Sequence, residues 1–473
     1  MNKKELTERI IEYPFHKEFV YSQESKCWYT YGQLWENAIR FMKFFQAKEI
    51  EEVSVVLENG IELFICYFAC MLGNIKIVPI DPMKSEIEIN CILDNHPNIF
   101  RVSSENELPE ITLKSADEES VKALLEGVDY EKPYMVTYTS GSTGVAKGVI
   151  HSLSNLIEAG IVFGEAVGYD AECIVCHTMP MTYMAGILNT IIMPFIMGSK
   201  IVLFKRFSVM TAISFWKNVK EHSVNTFWLS PTMLNILLTV DRKGDIAEYF
   251  KGRKTIFCVG TAPLFPQLKQ NFEERYGVSL LQSYGLSETL FISTRIPGVS
   301  AEDDSVGTIL NKVDLQFSDS EEIMIDVPWM YLGYSNENTA DYFEGQYYLS
   351  GDLGKVDNNN NLYITGRKKD LIIRGGMNIS PKQIEETILS HERIKECAVT
   401  SVVQNNEEYI LCFYVANGDV ENTAVTLNKL VIDRLGKAYK VDKFIEKKEI
   451  PKNLNGKLDK ETLKKEYLND SKI

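Results

Sequence analysis

The sequence predicts an α/β protein of two unequal parts: a large N-terminal α/β domain with buried sheets, residues 1–368, and a small C-terminal α+β domain, residues 369–473. Three observations predict it. Short apolar runs alternate with helical stretches up to about residue 370, the rhythm of strands covered on both faces. Beyond that point the rhythm becomes one helix, two strands and another helix. The charge changes at the same place, because the whole chain has a formal net charge of −15 while residues 370–473 hold 17 basic and 17 acidic side chains. A chain of 473 residues also exceeds what one ordinary core organises.

In chain order, "VSVVL" from Val53 predicts the first of these buried strands. The apolar stretch Ile61–Leu72 is twelve residues long between Gly60 and Gly73, too short to span a bilayer, and predicts a buried helix. "IKIVPI", "PYMVTYT", "CIVCHTM", "SKIVLF" and "TIFCV" predict further strands starting near Ile75, Pro133, Cys173, Ser199 and Thr255. Asp357–Asn361, with four consecutive asparagines, has turn chemistry and predicts a tight link between two short strands just before the boundary. The small domain is expected to run as a helix over Pro381–Ser390, strands at "CAVTSVV" and "YILCFYVA", a helix over Val425–Leu435 and a polar end.

Composition removes several classes of function. At 45% hydrophobic and 24% charged the chain is globular rather than disordered. Its acidity argues against a nucleic-acid footprint. The first residues carry no apolar core of a signal peptide and no run is long enough for a membrane span, which predicts a cytoplasmic protein. Of the nine cysteines, Cys173 and Cys176, followed by His177, stand at C-x-x-C spacing and read as small buried thiols on a strand.

The segment "YTSGSTGVAKGV", Tyr138–Val149, carries the chemistry. Gly141, Gly144 and Gly148 permit a backbone whose N–H groups converge on an anion, while Thr139, Ser140, Ser142 and Thr143 add hydroxyl donors and Lys147 a point charge. A phosphate chain is the natural guest. The P-loop of nucleotide triphosphatases requires a hydroxyl directly after the lysine, and here Gly148 stands in that position.

This dodecamer resembles the signature of the adenylate-forming superfamily of acyl- and aryl-CoA ligases, peptide-synthetase adenylation domains and luciferases. Four more stretches resemble that superfamily's elements in its own order: "YGLSE" at Tyr284–Glu288, "SGDLG" at Ser350–Gly354, "GRKKDLIIRGGMNISPKQIEE" at Gly366–Glu386 and "PKNLNGKLDK" at Pro451–Lys460. The resemblance implies ATP, Mg2+ and CoA, or the phosphopantetheine of an acyl carrier protein, as reactants, with a small carboxylic acid activated as acyl-AMP. By the same resemblance Lys147 meets the phosphates and Ser287 offers a hydroxyl to the α-phosphate. Glu288 holds the metal, Tyr284 faces adenine, Asp352 takes the ribose hydroxyls and Arg367 stands near ribose and phosphate. Thr261 and Ala262 of "VGTAPL" and Gly285 belong to the nucleotide site with Thr139–Gly144. Lys457 bridges the acid and the α-phosphate, and Lys369 is the pivot of a mobile C-terminal domain.

"PMTYMAG" resembles an element of the ligase branch, with Tyr183 in place of a histidine, and the aspartate typical of peptide-synthetase domains is missing. The expected acid pocket is Tyr183, Met184, Trp228, Thr261 and Leu286, which suits a small or flat apolar acid. Met377 stands where the branch has glutamate. Two alternatives remain open at this stage: a stand-alone ligase that loads a carrier protein, and a non-catalytic binding relative. Against the second, Lys147, Glu288, Asp352, Arg367 and Lys457 are all present.

Overall fold

The computed structural model describes residues 3–139, 146–242, 245–299, 304–374, 377–404, 407–418, 423–452 and 458–470. Two large sheets build the N-terminal part. One has nine strands in the order Thr308–Ile309, Leu290–Thr294, Leu280–Leu286, Ile256–Val259, Thr226–Leu229, Ile174–His177, Lys200–Leu203, Glu18–Ser22 and Cys27–Thr30. The other has six, in the order Gly333–Tyr334, Lys147–Ser152, Pro133–Thr139, Lys76–Pro79, Glu52–Val55 and Phe100–Val102. The central strands of both pair in parallel, and every strand expected from an apolar run is present. "PYMVTYT" is itself the strand Pro133–Thr139.

Helices pack between the sheets. Ile61–Gly73 is buried along nearly its whole length, as its unbroken apolar sequence requires, and ends at Asn74 with φ +52°, a left-handed cap that asparagine tolerates. Tyr31–Ala47 begins with a capping box in which Thr30 and Gln33 satisfy each other's backbone N–H groups. With Leu153–Val167 these helices contribute to one continuous core that draws side chains from both sheets, including Trp35, Phe64, Phe163, Trp228 and Trp329. Cys173 and Cys176 lie in the interior, where burial pushes both thiols up; no cysteine is in a disulfide.

A five-stranded sheet follows, in which Tyr347–Val356 and Leu362–Arg367 pair through the Asp357–Asn361 turn. The Asp357 carboxylate caps that turn by accepting from the N–H groups of Asn359 and Asn361 at 2.8 and 2.9 Å. The small C-terminal domain then builds its own core, with the hairpin Ile372–Arg374/Met377–Ile379, helices Pro381–Leu389 and Thr423–Leu435, and the sheet Ile394–Gln404, Glu407–Ala416, Lys443–Glu446. The polar end holds elements the sequence rhythm did not announce, strand Lys443–Glu446 and a helix after it. Lys460–Asp470 is a helix whose Leu463 and Tyr467, four residues apart, pack on Ala398, Leu411 and Phe413.

Candidate active site

Strand Pro133–Thr139 turns into strand Lys147–Ser152 so that Thr139 lies opposite Lys147. Ser140, Gly141, Ser142, Thr143 and Gly144 lie outside the described residues, as does Lys457. The Lys147 ammonium is 2.8 Å from the Glu337 carboxylate and donates to the Tyr342 hydroxyl, which in turn donates to Glu337. The ring of Tyr342 lies 4.3 Å beneath the ammonium and that of Tyr334 5.4 Å away. Burial alone would depress the Lys147 pKa, but these partners hold it above the ordinary lysine value.

Segment 333–342 reaches the lysine because it is laced to the same strand. Gly333 and Tyr334 pair with Ile150 and Val149, the Ser335 N–H donates to the Gly148 carbonyl at 2.8 Å, and the Asn336 amide donates to the Ala146 carbonyl at 2.9 Å. Gly148 is required by this close approach, since a Cβ there would lie 2.1 Å from Ser335 Oγ and 2.9 Å from Cζ of Tyr138.

The "YGLSE" stretch closes the hairpin between Leu280–Leu286 and Leu290–Thr294. A Cβ on Gly285 would fall 1.9 Å from the Leu290 carbonyl oxygen, so only glycine fits. His151, at the far end of the lysine's strand, pins this turn by donating from Nε2 to the Ser287 carbonyl at 2.7 Å. A carbonyl can only accept, so the proton is on Nε2, and complete burial lowers the imidazole pKa to about 4. The Glu288 carboxylate accepts from the Tyr334 hydroxyl at 2.8 Å, and the Glu288 carbonyl accepts from the Tyr331 N–H at 2.9 Å. Tyr334 therefore touches both groups: its ring is near Lys147 and its hydroxyl is on Glu288.

At the other end of the turn, the Tyr284 hydroxyl donates to Asp352 Oδ2 at 2.8 Å while Arg367 Nε lies 2.8 Å from Oδ1. Asp352 and Arg367 are directly opposite in their strand pair, which fixes this ion pair by register. Asp352 is 2% exposed, and its remaining lone pairs are the acceptors a ligand would find.

Thr261 and Ala262 are half-buried in the loop after strand Ile256–Val259. Thr261 has φ +72°, an uncommon conformation for a β-branched residue, and its buried hydroxyl has no hydrogen-bond partner. Of the expected acid pocket, Met184 and Trp228 are inside the main core, and Tyr183 and Leu286 are half-buried against it. Burial raises the Tyr183 hydroxyl pKa to about 12. Lys369 is exposed on the short turn Lys368–Asp370, beside the Lys368–Glu322 ion pair of 2.7 Å.

The structure thus gathers Lys147, Ser287 and Glu288 into one cluster and Tyr284, Asp352 and Arg367 into another. Four residues in the first cluster escaped the sequence reading: His151, Tyr334, Glu337 and Tyr342. The one signal that could have found three of them is the aromatic and polar density of "YLGYSNENTADYF".

A strand pair tightened at Gly148 and bearing a lysine, a carboxylate held by tyrosine, and a buried aspartate paired with arginine define a nucleotide-using enzyme on an α/β scaffold. The AMP-binding enzyme family matches residues 6–334 and the AMP-binding enzyme C-terminal domain matches residues 383–457; the chain belongs to this family. It is an AMP-forming acid–thiol ligase, activating a carboxylic acid with ATP. Among similar proteins, a 2-succinylbenzoate–CoA ligase of Bacillus pumilus is 28% identical over 449 residues, covering 90% of each chain. A sulfoacetate–CoA ligase of Cupriavidus necator is 26% identical over 434 residues, covering 83% of each. In fold, the chain resembles ATP-bound MatB from Rhodopseudomonas palustris, with a TM-score of 0.85, 20% identity and 99% of each chain covered.

Proposed function

We propose that this ligase makes a CoA thioester of a carboxylic acid with an apolar body, in two half-reactions at one site. The observation that carries the assignment of roles is the Tyr284–Glu288 turn, which has a buried acceptor pair, Asp352 with Arg367, at one end and the Lys147 cluster at the other. A nucleoside fits the first end and its phosphates the second. Thr139–Gly144 and Lys147 surround the phosphates, Ser287 turns a hydroxyl to the α-phosphate, Tyr284 faces adenine and Asp352 with Arg367 takes the ribose. Thr261, Ala262 and Gly285 complete the nucleotide wall.

In the first half-reaction a carboxylate oxygen bonds to the α-phosphorus as the bond to pyrophosphate breaks. Attack of an anion on a polyanion needs charge neutralised in advance, which is the task of Lys147 and of Lys457. Glu288 would hold Mg2+: its carboxylate sits among tyrosine hydroxyls of Tyr334 and Tyr348, an oxygen-only environment that suits a hard cation. When bound, that ion supplies further neutralisation of phosphate charge. In the second half-reaction the CoA sulfur bonds to the acyl carbon, AMP leaves, and the thiol proton passes to solvent. The residues on either side of Lys369, 1–368 and 369–473, are the two bodies that change pose between the steps. Tyr183, Met184, Trp228 and Leu286 receive the acid, and CoA as acceptor is supported by the names of the relatives above.

Mixing the protein with Mg·ATP and a panel of acids, with and without CoA, tests this reading. The expected result is acid-dependent pyrophosphate release, and thioester only when CoA is added. Thioester formed only on a phosphopantetheinylated carrier protein would move the acceptor from CoA to that protein, and no pyrophosphate with any acid would overturn the assignment.

A further inference from the structure

Lys147 is not waiting with its charge free. Two of its three N–H donors are engaged, one by the Glu337 carboxylate at 2.8 Å and one by the Tyr342 hydroxyl, and its side chain is only 15% exposed. Glu337 is itself held below the usual carboxylate range, first by its bond to Lys147 and then by that to Tyr342. The carboxylate therefore remains an anion wherever an ATP chain is also ionised. A second anion brought to this lysine meets one already there.

The backbone on either side of Glu337 is hydrogen-bonded in place, and its side chain is partly exposed. Ser335 and Asn336 are bonded to the lysine's strand, and the next turn, Thr339–Tyr342, is capped by Asn338, whose side chain accepts from the Ala340 N–H at 3.3 Å. Glu337 stands between these anchors with its side chain 26% exposed, free to swing outward without moving the main chain. Tyr342 is different. Its ring centroid lies 4.3 Å from the ammonium and its hydroxyl accepts from it, two contacts that do not need the carboxylate.

We propose that Glu337 is an internal competitor for the polyphosphate of ATP: it holds Lys147 in the empty enzyme, is displaced when ATP arrives, and recaptures the lysine as pyrophosphate departs. The proposal rests on the reading that Lys147 contacts the phosphates. Its effect falls on both ends of the first half-reaction, because a competitor for the lysine weakens ATP and pyrophosphate together. Weaker pyrophosphate means faster release and less reversal of acyl-AMP formation. AMP, which lacks the outer phosphates, does not feel it.

The test is equilibrium binding of ATP, pyrophosphate and AMP to the full-length protein by calorimetry, for wild type, Glu337→Gln, Glu337→Ala and Lys147→Ala. Glu337→Gln keeps the shape and the hydrogen bond to Tyr342 while removing the charge. It is expected to tighten ATP and pyrophosphate about tenfold and to leave AMP unchanged; Glu337→Ala should do the same if the glutamine variant is poorly folded by thermal melt. Lys147→Ala should weaken ATP and pyrophosphate only. If Lys147→Ala weakens ATP but neither Glu337 variant tightens it, the competitor role is overturned. Weaker ATP in the Glu337 variants would make the residue a support for Lys147 and also overturn it. If Lys147→Ala leaves ATP binding unchanged, the fault lies in the reading of Lys147 itself.

Discussion

At one end of the Tyr284–Glu288 turn, Asp352 is held by two residues that the motifs themselves supply, Tyr284 and Arg367. At the other end, Lys147 and Glu288 are held by Glu337, Tyr342 and Tyr334, which belong to no motif. The end we assign to ribose is assembled from its working parts in the empty protein. The end we assign to phosphate is filled by stand-ins: a carboxylate on the cation, and a phenol on the carboxylate. The difference follows the charge of the guest, since a neutral sugar needs preset acceptors whereas a polyanion needs cations that would be unstable if left bare.

The comparison is broken most severely at Asp352. Asp352→Ala removes the acceptor of the Tyr284 hydroxyl and the ion-pair partner of Arg367. Arg367 is 43% exposed, so most of the penalty falls on the tyrosine side. ATP and AMP should both bind on the order of 10²-fold more weakly, about 3 kcal/mol, as read by calorimetry. An ATP-only loss would show that the two ends are not separate.

Acid should act on two buried histidines, His151 bonded to the turn that joins the ends and His177 on strand Ile174–His177 of the other sheet. His151 and His177 are both fully buried with pKa values lowered from 6.5 to about 4 by loss of solvation. Their folded-state pKa lies below the unfolded one, so the unfolded chain binds the extra protons. Stability is complete above pH of about 6.5 and is lost as the pH falls towards 4, by about 1.4 kcal/mol per pH unit for each histidine across that window. Denaturant titrations between pH 7 and 4 measure this, and a flat profile would contradict neutral, buried imidazoles.

A smaller effect isolates the phenol on the carboxylate. Tyr334→Phe keeps the ring near Lys147 and removes the hydroxyl from Glu288, a neutral donor to a charged acceptor worth about 1 kcal/mol. The Mg2+ concentration for half-maximal binding of an ATP complex should fall about fivefold, with AMP affinity unchanged. An unchanged Mg2+ requirement would free Glu288 from its assigned role.

The smallest effect is expected at the acceptor surface. Residues 429–465 carry 12 basic and 6 acidic side chains. The structure shows that several are already spoken for, with Lys447, Lys452 and Lys460 at 2.8, 2.7 and 2.7 Å from Glu466, Glu396 and Glu385. Lys437 and Lys448 remain exposed. Reversing both to glutamate should raise the KM for CoA about threefold at low salt and not at high salt, while pyrophosphate release is untouched.

The strands of the large domain were legible because buried parallel strands need unbroken apolar runs, and "PYMVTYT" or "TIFCV" can do little else. The Lys460–Asp470 helix was not, because a surface helix that buries only Leu463 and Tyr467 leaves almost no periodic trace. The same contrast holds in the site. Tyr284, Asp352 and Arg367 stand in short motifs with local order. Glu337 and Tyr342 meet Lys147 across 190 and 195 residues, and nothing in local spacing announces a partner so distant. Only the pairing of Gly333–Tyr334 with Val149–Ile150 brings them together.

The small domain is fastened to the large one close to the proposed pivot. Ser380 Oγ donates to the Thr365 carbonyl at 2.8 Å and the Lys382 ammonium to the Ile364 carbonyl, both on the strand that ends in Arg367. A rotation about Lys369 parts these groups. Two such bonds are worth about 2 kcal/mol together, so they weight the observed pose over its alternatives by roughly 30 to 1. That bias is small enough for a bound ligand to reverse. With such a latch the proposed domain exchange would be a matter of population, tilted by whichever reactant is bound, rather than a step that needs its own supply of energy.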